Sequence, residues 1–519
     1  MRSAKIFCLP ALAAAVLLAA CGGGSSTVPA NTSNAKGALI YNPPVRVGSV
    51  TSADFTAQLA TNASGQQLLA LLTAAGIPPM CGVDFHYIQY NTVGGASEAT
   101  TASGALMVPT GGTGCSGNRP ILLYAHGTAA TRGYNMANPN DATNEAQAES
   151  TLVAAMFAAQ GYIVVAPNYA GYESSPLPYH PFLNAVALSS DMIYALTAAR
   201  SALGHIPAAT TLDSGTLVIS GYSEGGYVAM ATHRAMQAAN MKVSASAPMS
   251  GPYATEALVD TIVFGSVDIA GTVFFPLFAS GYQNSYHNLY NAPTDIYALP
   301  YANYAPTLMP GPLTFSQLIA QGKVPQPLFD STTPVTGNST LDAELAVPNS
   351  PLAPFGFGNP FLVTNSFRLS YALDVVASPD AGASLTPPPG APLAANPMYP
   401  FRQDLKLNDM RNPLWAPGAP MLMCGGNQDP EVFFLDAQVM QAFWTPLNLP
   451  AGLVNVLDVD SPIGVGDPFA AVKAGFASLK AATFAAGGQA AVLQNYHGGL
   501  VPPFCTLAAR GFFKQITGF

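Results

Sequence analysis

The string Gly221-Tyr222-Ser223-Glu224-Gly225 sets a serine between two glycines. The apolar run Leu217-Val218-Ile219-Ser220 precedes it, and Gly226-Tyr227-Val228-Ala229-Met230-Ala231 follows as a helix-forming stretch. A turn between a buried strand and a helix lifts a serine hydroxyl above the sheet edge. Side chains two residues to either side would collide with backbone there, which calls for glycine at 221 and 225. The bare pattern arises by chance on the order of 0.3 times in a chain this rich in glycine, so the flanks carry the inference. The hydroxyl needs a base. After Ser223 come His233, His287 and His497. His233 falls on the helix that the turn opens, and His287 in a stretch without clean period. His497, in Asn495-Tyr496-His497-Gly498-Gly499, is expected in a loop past the last strand, its ring over the sheet edge. It is assigned as general base, then acid. Asp429, in Gly425-Gly426-Asn427-Gln428-Asp429-Pro430, is assigned as the acid that orients the imidazole. It lies far from His497 in sequence, which keeps Asp458, Asp460 and Asp467 open; Asp436 is mid-helix. An Asp before Pro at a helix start is also good capping chemistry. Two backbone N–H groups should receive the oxyanion: that of Glu224, and that of Thr128 or Ala129 in the loop opened by His126-Gly127.

These residues need a frame. Asp84–Tyr90 and Gly104–Pro109 read as a strand pair. Pro120–Ala125, Tyr162–Ala166, Leu217–Ser220, Val243–Met249, Met421–Cys424 and Val454–Leu457 are short continuous apolar runs, as buried parallel strands should be. Helical patterns alternate with them at 181–203, 225–240, 431–445 and 467–485, after an earlier one at 52–76. Ala491–Gln494 should lead into the last loop. The expected fold class is α/β, a mostly parallel sheet covered by helices. The alternation stops at 255–410, a stretch rich in Pro, Tyr, Phe and Asn, expected as a cap or lid domain inserted between core segments 46–254 and 411–519. Its apolar run Val273–Phe278 reads first as the core of that insertion, and second as a pocket wall.

The N-terminus reads as an address. Arg2 and Lys5 precede an apolar region from Ile6 to Leu18, too short for a comfortable membrane span. Leu18-Ala19-Ala20-Cys21 then resembles a bacterial lipobox. That resemblance implies cleavage after residue 20, lipidation of Cys21, a tether over 21–45 and a membrane-anchored exported protein, outer membrane or cell surface. The simpler alternative is a plain secretory signal and a secreted protein. In an exported chain the remaining cysteines should pair, and Cys81–Cys115 with Cys424–Cys505 is the expected arrangement, each pair flanking one segment of the core. No Cys/His spacing suggests a metal, and no cofactor is called for. Charged residues are only 9 % of the 519, and the net charge of −9 argues against a nucleic-acid partner. The 49 % hydrophobic content excludes a disordered chain.

Taken with Tyr124-Ala125-His126-Gly127-Thr128, Ala166-Pro167-Asn168-Tyr169-Ala170-Gly171-Tyr172, His180-Pro181-Phe182-Leu183 and Asn412-Pro413-Leu414-Trp415, the motifs resemble the α/β-hydrolase superfamily. Within it they look like the secreted lipase family, the lipase A-like enzymes of yeasts, actinomycetes and proteobacteria. The resemblance spans roughly residues 50–519. It implies a cap between the sixth and seventh core strands, and hydrolysis of carboxylic esters (lipids, small esters or polyesters) through an acyl-enzyme. By it Ser223 matches the nucleophile, Asp429 the acid and His497 the base. Two other readings keep the fold: a peptidase, for which no acidic cluster stands near the motifs in sequence, and a non-catalytic binding lipoprotein.

Overall fold

The structure is a computed structural model that describes residues 33–206, 210–384 and 386–519. The signal segment 1–20, Cys21 and the first part of the expected tether lie outside the described residues.

Short apolar runs bounded by turns bury both faces only as neighbouring strands with helices above and below. The strands are β1 (Val45–Val50), β2 (Gly82–Val93), β3 (Ala99–Thr110), β4 (Gly117–Ala125), β5 (Ile163–Pro167), β6 (Thr211–Tyr222), β7 (Ala245–Met249), β8 (Phe329–Asp330), β9 (Phe357–Gly358), β10 (Met421–Gly425) and β11 (Val454–Asp458). Nine of them form one sheet in the order β1-β2-β3-β5-β4-β6-β7-β10-β11. The first four neighbours pair antiparallel. From β5 to β11 every pairing is parallel. The central strands β4, β5, β6 and β7 are buried along their apolar lengths, as helices on both faces require.

The described part of the expected tether is not free. Leu39 is buried and bridges Tyr90, and the Gly37 N–H donates to Asn91 O at 2.9 Å. Val45 already opens β1. An open β2 edge offers unpaired backbone groups, and these residues take them up. In β1 most residues are exposed, including Val45 and Val47, so its sequence shows no clean apolar alternation. This added edge strand places the insertion after the seventh strand of the sheet, not the sixth. The stretch 52–76 is two helices, Ser52–Leu59 and Ala63–Ala74, each opened by a capping side chain, Thr51 and Asn62.

The insertion between β7 and β10 is mainly helical, with the small β8–β9 sheet. Its helices Thr255–Val263, Gly271–Tyr286, Asn365–Ala377 and Pro400–Asn408 pack against one another and share a continuous apolar core with the sheet. Arg402 and Arg411 are fully buried, Arg402 within the insertion and Arg411 at its C-terminal end. Arg402 pairs with Glu256, Asp260 and Asp374, and Arg411 with Asp380 and Asp409. Pairing is what makes so many buried charges tolerable. The disulfides join Cys81 to Cys115 and Cys424 to Cys505. The second ties β10 to the C-terminal helix Val501–Thr517. No helix among the described residues is long and apolar enough to cross a membrane.

Candidate active site

Ser223 sits between β6 and helix Glu224–Ala238 with φ 59° and ψ −124°, a conformation L-residues avoid. Close packing over-determines it. A Cβ on Gly221 would stand 2.2 Å from Gly225 O, and one on Gly225 2.0 Å from Ala125 O. The two glycines therefore let the turn press against β4, and Ser223 is raised at the carboxyl end of the sheet.

His497 Nε2 lies 2.8 Å from Ser223 Oγ, and His497 Nδ1 lies 2.7 Å from Asp429 Oδ2. All three residues are buried. Asp429 also holds a turn, its Oδ1 accepting from the N–H groups of Glu431 and Val432; it is not the helix cap its place before Pro430 suggested, because the helix begins only at Leu435 with Phe434 at the N-cap. One carboxylate does both tasks because its two oxygens face different ways. The alternative acids are engaged elsewhere. Asp458 holds Asn427, Asp460 holds Tyr496 and Lys480, Asp467 pairs with Lys473, and Asp436 accepts from Ala254 N.

The setting of His497 differs from the expected loop after a strand. Residues 491–494 belong to helix Ala470–Asn495, which kinks at Gly487 and Gly488, and His497 lies in the helical turn Tyr496–Leu500. Ala-rich sequence continues the helix where an apolar run suggested an end. The turn is anchored from below: the Tyr222 hydroxyl donates to His497 O at 2.6 Å, and the Tyr222 ring lies 5.1 Å from the imidazole. The Cys424–Cys505 bond holds the acid's strand to the helix that follows the histidine. Tyr222 lies inside the elbow motif, but its role depends on a contact that no local pattern signals.

The other histidines after Ser223 stand apart. His233 is buried with its Nδ1 2.9 Å from Ser246 Oγ, and burial lowers its pKa to about 4. His287 closes the insertion helix Gly271–Tyr286. His126 is stacked between Tyr134 and Tyr169, with ring centroids 4.3 and 4.1 Å away, and burial lowers its pKa to about 4. It shapes the loop after β4, as its position suggested. In that loop, Gly127 N–H donates to Glu149, and Ala130 and Thr131 N–H donate to Glu145. The amides of Thr128 and Ala129 lie between them. Glu149 is half-buried, also receives the hydroxyls of Tyr124 and Tyr134, and is not visible as a site residue in the sequence.

Ser223, Glu224 and Thr128 border a cavity of about 740 Å³, counting its open mouth. The insertion supplies most of its wall, including Phe274, Phe275, Phe278 and Phe367. The run Val273–Phe278 thus does both things considered for it. Val273 and Leu277 turn into the insertion's core, and the phenylalanines face the cavity. Two carboxyls, Asp268 and Glu431, interrupt this apolar lining. Burial raises the pKa of both. For His497, burial alone would lower the pKa. The charge and hydrogen bond of Asp429, then the charges of Glu431 and Asp268, outweigh it and raise the value to about 9. Among the described residues no group of His, Cys, Asp and Glu is placed to hold a metal.

This sheet order, with a serine elbow after β6 and an insertion before β10, defines an α/β-hydrolase; the chain belongs to that superfamily and is similar to an esterase within it. Among solved structures it is similar to the ligand-bound rice cell wall degrading esterase LipA from Xanthomonas oryzae. That match has a TM-score of 0.64 and 26 % identity, over 92 % of this chain and 98 % of that one. A second structure, from Legionella pneumophila, shares the fold at TM-score 0.59 and 20 % identity, over 92 % and 98 % of the two chains. No protein-family model and no curated protein matches the chain.

Proposed function

We propose that the protein is a serine-dependent carboxylic ester hydrolase of the lipase/esterase kind. The observation that carries the reading is the continuous relay Ser223–His497–Asp429, at 2.8 and 2.7 Å, opening on an apolar cavity. The likeness to an esterase supports the same reaction type. In this reading the ester carbonyl lies against Ser223 with its acyl or aryl part among the phenylalanines. Ser223 Oγ attacks the carbonyl carbon and its proton passes to His497 Nε2. The backbone N–H groups of Glu224 and Thr128 receive the oxyanion. His497 then protonates the leaving alkoxide, and the C–O bond breaks to give the acyl-enzyme. Water, deprotonated by His497, attacks in turn and releases the acid and Ser223. Asp429 keeps the proton on Nδ1, so that Nε2 faces the serine as a base.

The test uses residues 22–519 and p-nitrophenyl esters of short, medium and long acyl chains, beside Ser223→Ala. Turnover that vanishes in the variant is expected, and the chain-length profile separates esterase from lipase. Equal turnover in the variant refutes the nucleophile.

One observation favours a second reading. Asp268, distant from the motifs in sequence, and Glu431, next to the Asp429 loop, both line the cavity, where a pair of carboxyls suits a substrate amine. A peptidase would turn over aminoacyl nitroanilides in a Ser223-dependent way, whereas an esterase would leave these amides intact.

Export as a lipoprotein anchored through Cys21 belongs to the same proposal, and a disulfide-bonded chain fits it. Cys21→Ser should then release the protein from membranes. Wild-type protein found wholly in the soluble fraction overturns the anchor.

A further inference from the structure

Glu224 follows the nucleophile, and the reaction read above uses only its backbone. Its side chain is nonetheless fully buried, with Oε1 2.6 Å from His180 Nε2. His180 Nδ1 lies 3.0 Å from Ala170 O, which can only accept, so Nδ1 carries a proton. The contact between Nε2 and Oε1 then holds one further proton. The pair is net neutral whichever atom carries it. Glu224 Oε2 is buried without a hydrogen-bond partner. As a device for stability alone this is a poor choice, because an apolar pair of similar volume avoids the desolvation cost.

The segment that holds His180 also grips the loop after β4. The Tyr169 hydroxyl donates to His126 O at 3.1 Å and the Tyr172 hydroxyl to Ala129 O at 2.7 Å, so the two bonds bracket Thr128. The rings form one stack: His126 to Tyr169 at 4.1 Å, Tyr169 to His180 at 5.6 Å, and Tyr172 to His180 at 4.7 Å. The backbone permits it through Tyr169 at φ 65° and Gly171 at φ 98°, where a Cβ would meet Tyr179 O at 2.2 Å. Residues 169–180 therefore bond on one side to the loop of Thr128 and on the other to the side chain of Glu224.

The geometry points to Glu224 and His180 as positioning residues that fix the separation of the two oxyanion donors, an inference that rests on the serine-hydrolase reading. A donor stabilises the oxyanion only within about 2.7–3.1 Å of it, so a shift of the elbow amide relative to the Thr128 loop is felt at the tetrahedral stage and hardly in substrate binding.

The experiment measures kcat and KM on p-nitrophenyl butyrate for Glu224→Ala, His180→Ala and Glu224→Gln. It adds the affinity of each for an alkyl trifluoromethyl ketone, whose carbonyl carbon bonds to Ser223 Oγ while its oxygen becomes an oxyanion. Both alanine variants should lose on the order of 10²-fold in kcat with KM within about threefold, and ketone affinity should fall by a similar factor. Glu224→Gln should rescue most of the loss, because its carboxamide N–H donates to Nε2 of a neutral His180. The inference is overturned if either alanine variant keeps its kcat, if the loss appears in KM, or if Gln is no better than Ala. Should the single variants fail to fold with one partner left unpaired, the double variant Glu224→Leu/His180→Phe removes both buried polar groups. Folded, with kcat and ketone affinity both lowered, it supports the inference; with wild-type values it refutes it. Esterase activity that survives Ser223→Ala sinks the function itself, whereas activity that needs Ser223 and ignores Glu224→Ala sinks only the positioning role.

Discussion

In the proposed reaction His497 must be neutral to take a proton from Ser223, and its surroundings fix the pH at which it becomes so. With its pKa raised to about 9 by Asp429, Glu431 and Asp268 against the opposing effect of burial, about 1 % of the free enzyme is competent at pH 7 and about 10 % at pH 8. kcat/KM should rise roughly tenfold per unit up to pH 8 and level off above 9. Glu431→Gln is the telling perturbation. It removes one of the charges that hold the proton on His497 and leaves the Asp429 contact in place. The acid limb should move down by about half a unit to one unit. At pH 7 the variant should then exceed wild type by about three- to tenfold, with an unchanged alkaline plateau. The assay is initial-rate kcat/KM on a soluble butyrate ester from pH 5.5 to 10 at constant ionic strength, by pH-stat, which avoids the spontaneous alkaline hydrolysis of nitrophenyl esters. A wild-type limb near 6.5, or a variant limb at or above the wild-type one, refutes the electrostatic account.

The same shift bears on stability. A folded-state pKa above 6.5 means that the protonated ring stabilises the fold fully below pH 6.5, and that this contribution, on the order of 3 kcal/mol, is lost as pH rises through 9. Thermal denaturation of wild type should therefore drop in Tm between pH 6.5 and 9 more steeply than that of His497→Gln; parallel curves count against it. Asp429→Asn should retain the turn bonds from the Glu431 and Val432 N–H groups through its carbonyl oxygen while misplacing the ring proton, cutting kcat by about 10³- to 10⁴-fold with a native circular dichroism spectrum. A loss under tenfold would assign the acid elsewhere. Replacing Cys424 and Cys505 by Ala frees a loop with a sequence separation of 81 and should cost about 2–4 kcal/mol in urea unfolding, with kcat falling as the histidine turn loosens. Phe275→Ala should widen the cavity wall and shift preference toward bulkier acyl groups, read as the ratio of kcat/KM for long over short esters.

What the sequence alone determined is local. The elbow is legible because its steric demands act over a few residues: glycine where a Cβ would meet Gly225 O or Ala125 O, an apolar strand before, a helix after. The parallel strands are legible because burial on both faces leaves continuous apolar runs. Their order is not, since pairing depends on which helices cover which face. The acid was one candidate among several for the same reason. Asp429, Asp458 and Asp460 all lie at or just beyond the ends of β10 and β11, and only the packing of Asn427, Lys480 and Tyr496 disposes of the other two. The helical turn that carries His497 escaped notice because its place comes from Tyr222 and the Cys424–Cys505 bond, contacts made across hundreds of residues and dozens of residues respectively. The edge strand β1 is not legible, because a mostly exposed strand needs no apolar alternation. The Glu224–His180 pair and the cavity carboxyls Asp268 and Glu431 exist only once the chain has closed on itself. A buried charge is recognised by its partners, and those lie far away along the sequence.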